Sequence, residues 1–299
     1  MSKKNAFTLA EVLVVMFLIG FLFTLMIPNV VQKQTTTKYI ENAQKAQATL
    51  QTAFQKAAED NEDLFPQDWE SVRESSNKSE AIVKELSKKT SIMSFCGNKL
   101  QGCFSTEGYR TLNGVPTDIL TQEMKPHQFH RDQNDYILRE KVNSSDSESD
   151  NVGEKLKYTK ANPKATTTNF VLLDGGSISL KTNSRYCDGI IPSTDPIERP
   201  LCAKIYVDIN GPANPNTLGM DVFGFYLSGN DVLPMGFYGD EFSFDYNCLR
   251  EVPNASADNG LACTAWAIKN KNMDYRKCQA GTRLSWTGAK RCEQETPAK

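Results

Sequence analysis

The sequence feature that most restricts the fold of this chain is a long apolar stretch near its N-terminus. Residues 7–31 read FTLAEVLVVMFLIGFLFTLMIPNVV. A helix of that length reaches about 37 Å, enough to cross a bilayer core of about 30 Å. Glu11 lies near its front edge, and a carboxylate in hydrocarbon costs on the order of 2.5 to 3.5 kcal/mol. We therefore predict a transmembrane helix over 7–31 in which Glu11 has a function.

Two other interpretations exist for such a stretch, a cleaved secretory signal and a plain signal anchor. Lys3 and Lys4 would supply the positive region that precedes the apolar run of a signal. However, the run is longer than an ordinary signal core, no A-x-A-like cleavage site follows near Pro28, and Glu11 interrupts it. These features favour a helix that is retained in the mature protein and carries a functional residue, Glu11, near its N-terminus.

The residues at that start resemble the leader junction of type IV pilins and pseudopilins, where a small residue precedes Phe-Thr-Leu-x-Glu. Residues 6–11 read AFTLAE, and the resemblance covers about the first 60 residues. It implies that a prepilin peptidase removes the leader, residues 1–6, by cutting between Ala6 and Phe7. The same enzyme system would then N-methylate Phe7. The family usually has Gly in place of Ala6, and the added methyl group is compatible with slower processing.

The resemblance also implies where the chain acts and with what partners. It would insert in the bacterial inner membrane as a single-pass protein with its head in the periplasm. An inner-membrane assembly platform would then transfer it into a filament of pilin-like subunits. Glu11 would pair with the methylated amine of the next subunit. Pro28 weakens the helix where it can bend on packing, although a kink without an assembly role is the alternative.

The polar segment that follows, residues 32–60, is expected to continue the same helix. Apolar or small side chains recur in it at spacings of three and four, which marks one helical face. The face consists of Tyr39, Ala43, Ala46, Leu50, Ala53, Phe54 and Ala57. We expect this half of the stem to lie against the head and the apolar half to remain open to neighbouring subunits.

The head divides at an acidic loop, residues 143–151. Residues 61–160 read as helix and loop, with a short helix around Ile82, Val83 and Leu86, whereas residues 161–299 read as β-rich. The predicted strands are Phe170–Leu173, Ser177–Leu180, Ala203–Asp208, Val222–Leu227 and Glu241–Tyr246. Asp174-Gly175-Gly176 predicts a hairpin with positive φ at both turn positions. The fold class is therefore α+β, with a long N-terminal helix packed on an antiparallel sheet.

Eight cysteines lie outside the apolar stretch and form no C-x-x-C pair, which favours disulfides in an oxidising compartment over zinc. Pairing of neighbours would join Cys96 with Cys103, Cys187 with Cys202, Cys248 with Cys263 and Cys278 with Cys292. Eight cysteines allow 105 arrangements, so the connectivity stays open.

A polar turn between two predicted strands resembles a pattern found in the heads of large pilin-like proteins. Asp208, Asn210, Asn216 and Asp221 could converge there as oxygen ligands for calcium. The spacing does not match the twelve-residue EF-hand loop. An Asx-capped turn without metal is the favoured interpretation, and no other cofactor is implied.

The region from Lys269 to Arg291 is basic and includes Tyr275 and Trp286, a combination that suits DNA. A solvated edge, or a contact with the acidic loop of a neighbouring subunit, is the more common use of such a region. The formal net charge of −2 gives no overall signature of polyanion binding. The two histidines, His127 and His130, are interpreted as surface residues, and no catalytic unit is apparent.

Taken together, the sequence predicts a structural, non-enzymatic subunit of a type IV pilus or a type II secretion pseudopilus. The alternative is a minor pilin for DNA uptake or adhesion, displayed by the filament, with a basic C-terminal binding surface. Nothing in the sequence separates the pilus from the secretion machine.

Overall fold

The computed structural model describes residues 9–120, 166–182, 187, 189–191, 199–237, 244–245, 247–251, 256–279, 282–286, 288 and 292–294, with backbone only at 22–33, 189, 283 and 293–294. Within these residues the chain combines a long N-terminal helix, an antiparallel sheet and four disulfides. The predicted α+β class is therefore confirmed.

The N-terminal helix, α1, spans Leu9–Asn61, about 80 Å at 1.5 Å per residue. One face of its second half is buried in the core. The buried members are Ile40, Ala43, Ala46, Leu50, Ala53, Phe54, Ala57 and Ala58. This is the face that the spacing of three and four predicts, except that Tyr39 is only half-buried. The alanines lack bulk, so the helix backbone can approach the head closely.

Two shorter helices follow, α2 at Glu70–Arg73 and α3 at Lys78–Ser87. Asn77 caps α3 because its side chain accepts the backbone N–H of Glu80 and donates to the Glu80 carboxylate at 3.0 Å. Ile82, Val83 and Leu86 are buried, which confirms the helix predicted around them. A fourth helix, α4, spans Thr264–Asn270.

Twelve strands occur among the described residues. They are β1 Ile92–Gly97, β2 Tyr109–Arg110, β3 Pro116–Thr117, β4 Thr166–Leu172, β5 Ser177–Thr182, β6 Gly189–Ile190, β7 Pro200–Leu201, β8 Ala203–Asp208, β9 Val222–Ser228, β10 Asp231–Pro234, β11 Thr282–Arg283 and β12 Glu293–Gln294. The main sheet has the order β1-β4-β5-β8-β9-β10, and each neighbouring pair is antiparallel. The remaining strands form three two-stranded pairs.

Three local predictions need correction. The strand predicted at Glu241–Tyr246 is wrong in its described part, because Phe244 and Asp245 are helical. The backbone N–H of Cys248 donates to the Phe244 carbonyl at 3.0 Å, a bond between residues four apart. The hairpin turn has positive φ at Gly175 alone, which fits a three-residue loop with Gly in the left-handed position. Strands β1, β2 and β3 lie in the region predicted as helix and loop.

The second half of α1 lies along β10, the edge strand of the main sheet. Gln47 Nε2 donates to the Val232 carbonyl at 2.9 Å, and Gln51 Oε1 accepts the Val232 N–H at 2.7 Å. Gln44 Nε2 donates to the carbonyl of Ile268 in α4 at 3.1 Å. Gln47 and Gln51 thus satisfy edge groups of β10 that would otherwise be open to pairing with another chain.

Candidate functional site

The predicted cleavage junction, Ala6 and Phe7, lies outside the described residues. Glu11 is exposed in the first turn of α1, and Pro28 lies within the same helix. Apolar side chains around Glu11 are also exposed, on every side of the helix. They are Leu9, Val12, Leu13, Val14, Val15, Met16, Phe17, Leu18, Ile19 and Phe21, with exposed fractions between 44% and 80%. The head therefore covers none of this segment.

An apolar surface of this extent is unusual on a soluble monomer and marks contact with lipid or protein. A helix that is apolar all round is buried in its functional setting, in a core or in a membrane. Over the described residues, however, no helix reaches the length and hydropathy of a membrane span.

The turn between β8 and β9 brings together the four residues that the sequence selects as oxygen ligands. Asp208 accepts the backbone N–H of Asn210 at 3.3 Å. Asp221 accepts the backbone N–H groups of Asn216 at 2.8 Å and Thr217 at 2.7 Å. Burial raises the pKa of the Asp221 carboxyl, and hydrogen bonds that include one from the Asn210 side chain oppose that rise. The turn is thus Asx-capped.

Both carboxylates are fully buried, which raises their pKa values. Burial raises the pKa of Asp208 to about 8, the hydrogen bond from Tyr109 opposes that rise, and the nearby charge of Asp221 adds to it. The Tyr109 hydroxyl donates to Asp208 Oδ2 at 2.7 Å. Tyr109 is 99 residues away in the sequence, and no local pattern marks it as a partner.

Two amide oxygens in this turn have no hydrogen-bond donor. Asn210 Oδ1 and Asn216 Oδ1 are both buried and unpartnered, and Asn216 is only 4% exposed. A buried carbonyl-type oxygen without a donor is costly, so it requires an explanation. Two carboxylates with two such oxygens fit the preference of a hard cation for oxygen ligands.

The described residues contain no cluster of three or more His, Cys, Asp or Glu side chains placed to hold a metal. A cation at this turn would therefore need the amide oxygens of Asn210 and Asn216 as ligands in addition to the two carboxylates. Gly219 in the same turn has φ +73°, and a Cβ on it would lie 2.6 Å from the Gly260 carbonyl oxygen. The turn is consequently packed against a second backbone segment and leaves no room for a side chain there.

All eight cysteines are paired, each with its neighbour in the sequence. The bonds are Cys96–Cys103, Cys187–Cys202, Cys248–Cys263 and Cys278–Cys292. Each closes a loop with a sequence separation between 7 and 15 residues. The bonds therefore fix local loops rather than joining distant parts of the head.

The C-terminal basic region differs from the DNA-binding surface that its composition suggests. Tyr275 is 1% exposed and Trp286 is 7% exposed. Trp286 packs with Phe244 and Trp266 in an aromatic cluster, with ring centroids 5.1 to 5.6 Å apart. These rings are therefore not available to stack on bases. His127, His130 and the acidic loop 143–151 lie outside the described residues.

Comparison with known proteins bears on the N-terminus. The model of the family described as the prokaryotic N-terminal methylation motif matches residues 1–27. No curated protein and no solved structure gives a significant match to the chain. The matched residues include the AFTLAE string and all of the exposed apolar side chains from Leu9 to Phe21. This motif supports a type IV pilin-like or pseudopilin-like protein.

Proposed function

We propose that the chain is a structural subunit of a type IV pilus or of a type II secretion pseudopilus. The observation that carries the proposal is the position of the methylation motif, at residues 1–27. It coincides with the uncovered apolar segment of α1, whose second half is buried against the head. One continuous helix thus offers an assembly surface at one end and a fixed attachment to a large head at the other.

In this proposal the apolar segment 7–31 anchors the chain in the inner membrane, with the head in the periplasm. A prepilin peptidase cuts between Ala6 and Phe7 and Phe7 is N-methylated. The assembly platform then moves the subunit into a filament with other pilin-like subunits. The pilin-like family to which the motif points is structural, and we assign no enzymatic activity.

Glu11 has a specific role in this assembly. Within the filament, the methylated amine of Phe7 would lie at the depth of Glu11 in the preceding subunit. Opposite charges about 4 Å apart attract by about 4 kcal/mol at an effective dielectric near 20, which is comparable to the insertion cost of a lone carboxylate. The pair would therefore set the register of each incoming subunit, while Pro28 lets the helix adapt.

Two measurements test this proposal. Intact-mass analysis of the mature chain should show the loss of residues 1–6 and one added methyl group. Glu11→Val should insert in the membrane but fail to enter sheared filaments, whereas Glu41→Val, at an exposed position of the same helix, should enter them normally. Equal recovery of Glu11→Val and wild type in filaments would refute the assembly role. Cleavage beyond Val31 would indicate a secretory signal instead.

We further propose that the turn between β8 and β9 binds calcium through Asp208, Asn210, Asn216 and Asp221. The two unpartnered amide oxygens beside two buried carboxylates support this role. Calcium at 100 times its dissociation constant would stabilise the fold by about 2.7 kcal/mol. Thermal unfolding of the full chain should therefore shift upward with calcium. The shift should be lost in Asp208→Asn and kept in Asp174→Asn, an exposed turn carboxylate. A wild type that does not respond to calcium would exclude the site.

A further inference from the structure

A cavity lies between α1 and the C-terminal part of the head. It is an open cavity of about 840 Å³, within the usual size range of small-molecule sites. It is lined by Thr35–Thr37 and Tyr39 of α1 and by Arg250, Lys271 and Arg276 of the head, which we call the basic wall. Hydroxyl groups together with cations form a setting suited to a phosphate group.

The charge of this cavity is predominantly positive. Its one acidic lining residue, Asp274, pairs with Lys277 at 2.5 Å, so three further cations remain. Arg250 donates through Nη1 to the backbone carbonyl of Arg276, which holds the two guanidinium-bearing segments together. Lys271 is exposed at the end of α4.

Two carboxylates lie near this cavity, and their negative charge would reduce the positive potential of its cations if it were accessible. Burial raises the pKa of the Tyr39 hydroxyl, the charges of Asp221 and Asp208 add to that rise, and the charge of Arg276 opposes it. Tyr39 is therefore near enough to both the carboxylate pair and Arg276 to be influenced by each. Both carboxylates are fully buried, and neither of them lines the cavity. The accessible charge is therefore that of the basic wall.

The position of the cavity along α1 indicates its environment. Thr35 follows the end of the apolar segment, Val31, by four residues, or about 6 Å of helix. The headgroup layers add about 5 to 8 Å on each side of the hydrocarbon core. If the apolar segment spans the core, then Thr35–Thr37 stand at headgroup depth with the basic wall beside them.

We propose that this cavity binds the phosphate-bearing headgroup of an anionic phospholipid while the subunit stands in the inner membrane. The inference rests on the membrane insertion proposed above. A headgroup is favoured over DNA because the cavity is set beside the helix at bilayer depth, and because Tyr275 and Trp286 are buried and cannot stack on bases. Binding would hold the head against the membrane surface until the subunit is extracted.

The test uses the full chain in non-ionic detergent. The probes are dioctanoyl phosphatidylglycerol, dioctanoyl phosphatidylcholine, inorganic phosphate and a single-stranded oligothymidylate. We expect the phosphatidylglycerol to bind most tightly. Arg250→Gln and Arg276→Gln should each weaken its binding about fivefold, the equivalent of about 1 kcal/mol per basic side chain. Lys84→Gln, an exposed lysine on α3, should leave it unchanged.

The outcomes separate this inference from the proposed function. Flotation of the wild type with phosphatidylcholine vesicles measures insertion through the apolar segment alone. A chain that floats, but binds both lipids equally, overturns the headgroup site and leaves the pilin-like role intact. A chain that does not float overturns both. Equal or tighter binding of inorganic phosphate assigns the cavity to a free anion, and tighter binding of the oligothymidylate assigns it to DNA.

Discussion

The buried carboxylate of Asp208 makes the stability of the head depend on pH. Its pKa is raised to about 8 in the folded chain, mainly by burial, from an ordinary value of 3.8. Between pH 4 and pH 8 the folded chain therefore keeps a proton that the unfolded chain has released. Because the unfolded chain binds fewer protons in this window, the free energy of unfolding falls as pH rises. The stabilising contribution is complete below pH 4 and lost above pH 8.

The size of the effect follows from the same two values. A difference of one pKa unit corresponds to 1.36 kcal/mol, so the rise from 3.8 to about 8 amounts to on the order of 6 kcal/mol across the window. Asp208→Asn keeps the shape of the side chain but does not ionise. Its oxygen can still accept the backbone N–H of Asn210, and its NH2 group can donate to the Tyr109 hydroxyl oxygen. We therefore expect the variant to match wild type near pH 4 and to be more stable by several kcal/mol near pH 9.

Guanidinium unfolding of the full chain in detergent, with calcium removed by a chelator, would measure this difference. The three tryptophans, Trp69, Trp266 and Trp286, are all buried in the head, so their fluorescence reports on its unfolding. Asp174→Asn is the matched control, and its profile should run parallel to wild type. Parallel profiles for Asp208→Asn and wild type from pH 4 to pH 9 would refute the account of the buried carboxylate.

Three further predictions concern the packing of the head. Gly219→Ala should destabilise it by several kcal/mol in the same unfolding assay, because a Cβ would lie 2.6 Å from the Gly260 carbonyl oxygen; an unchanged midpoint would contradict that contact. Phe54→Ala should cost about 3 to 5 kcal/mol, since Phe54 is fully buried; exposed Leu64→Ala is the control. Thiol labelling of the folded chain should find no free cysteine, and removing the Cys248–Cys263 bond should cost about 3 kcal/mol; reactive thiols in the folded chain would contradict the pairing.

Much of the fold is encoded in short-range patterns. The buried face of α1 follows from side chains spaced by three and four, and β8 and β9 follow from runs of β-branched and aromatic residues. Strand β10, Asp231–Pro234, lacks alternation and contains a proline. It is stabilised by its pairing with β9 and by the glutamines of α1, which are contacts that no local pattern encodes.

The candidate calcium site likewise combines features that local sequence patterns encode with contacts that only the tertiary fold creates. The spacing of acidic and amide residues locates the turn between β8 and β9 in the sequence. It does not locate Tyr109, whose hydrogen bond to Asp208 depends on the tertiary fold. In the basic region, composition correctly identifies the charges but not the burial of Tyr275 and Trp286, because only the packed structure decides which aromatic rings face inward.

The glutamine contacts of α1 have a mechanical consequence. Gln44, Gln47 and Gln51 occupy successive turns of the helix and bond to the head side by side. A force that pulls α1 along its axis loads these bonds in shear, so they must break together rather than one after another. Peeling the helix away from the sheet would instead break them in sequence at lower force. These glutamine contacts therefore resist an axial pull on α1, which is the direction of load in the filament proposed above.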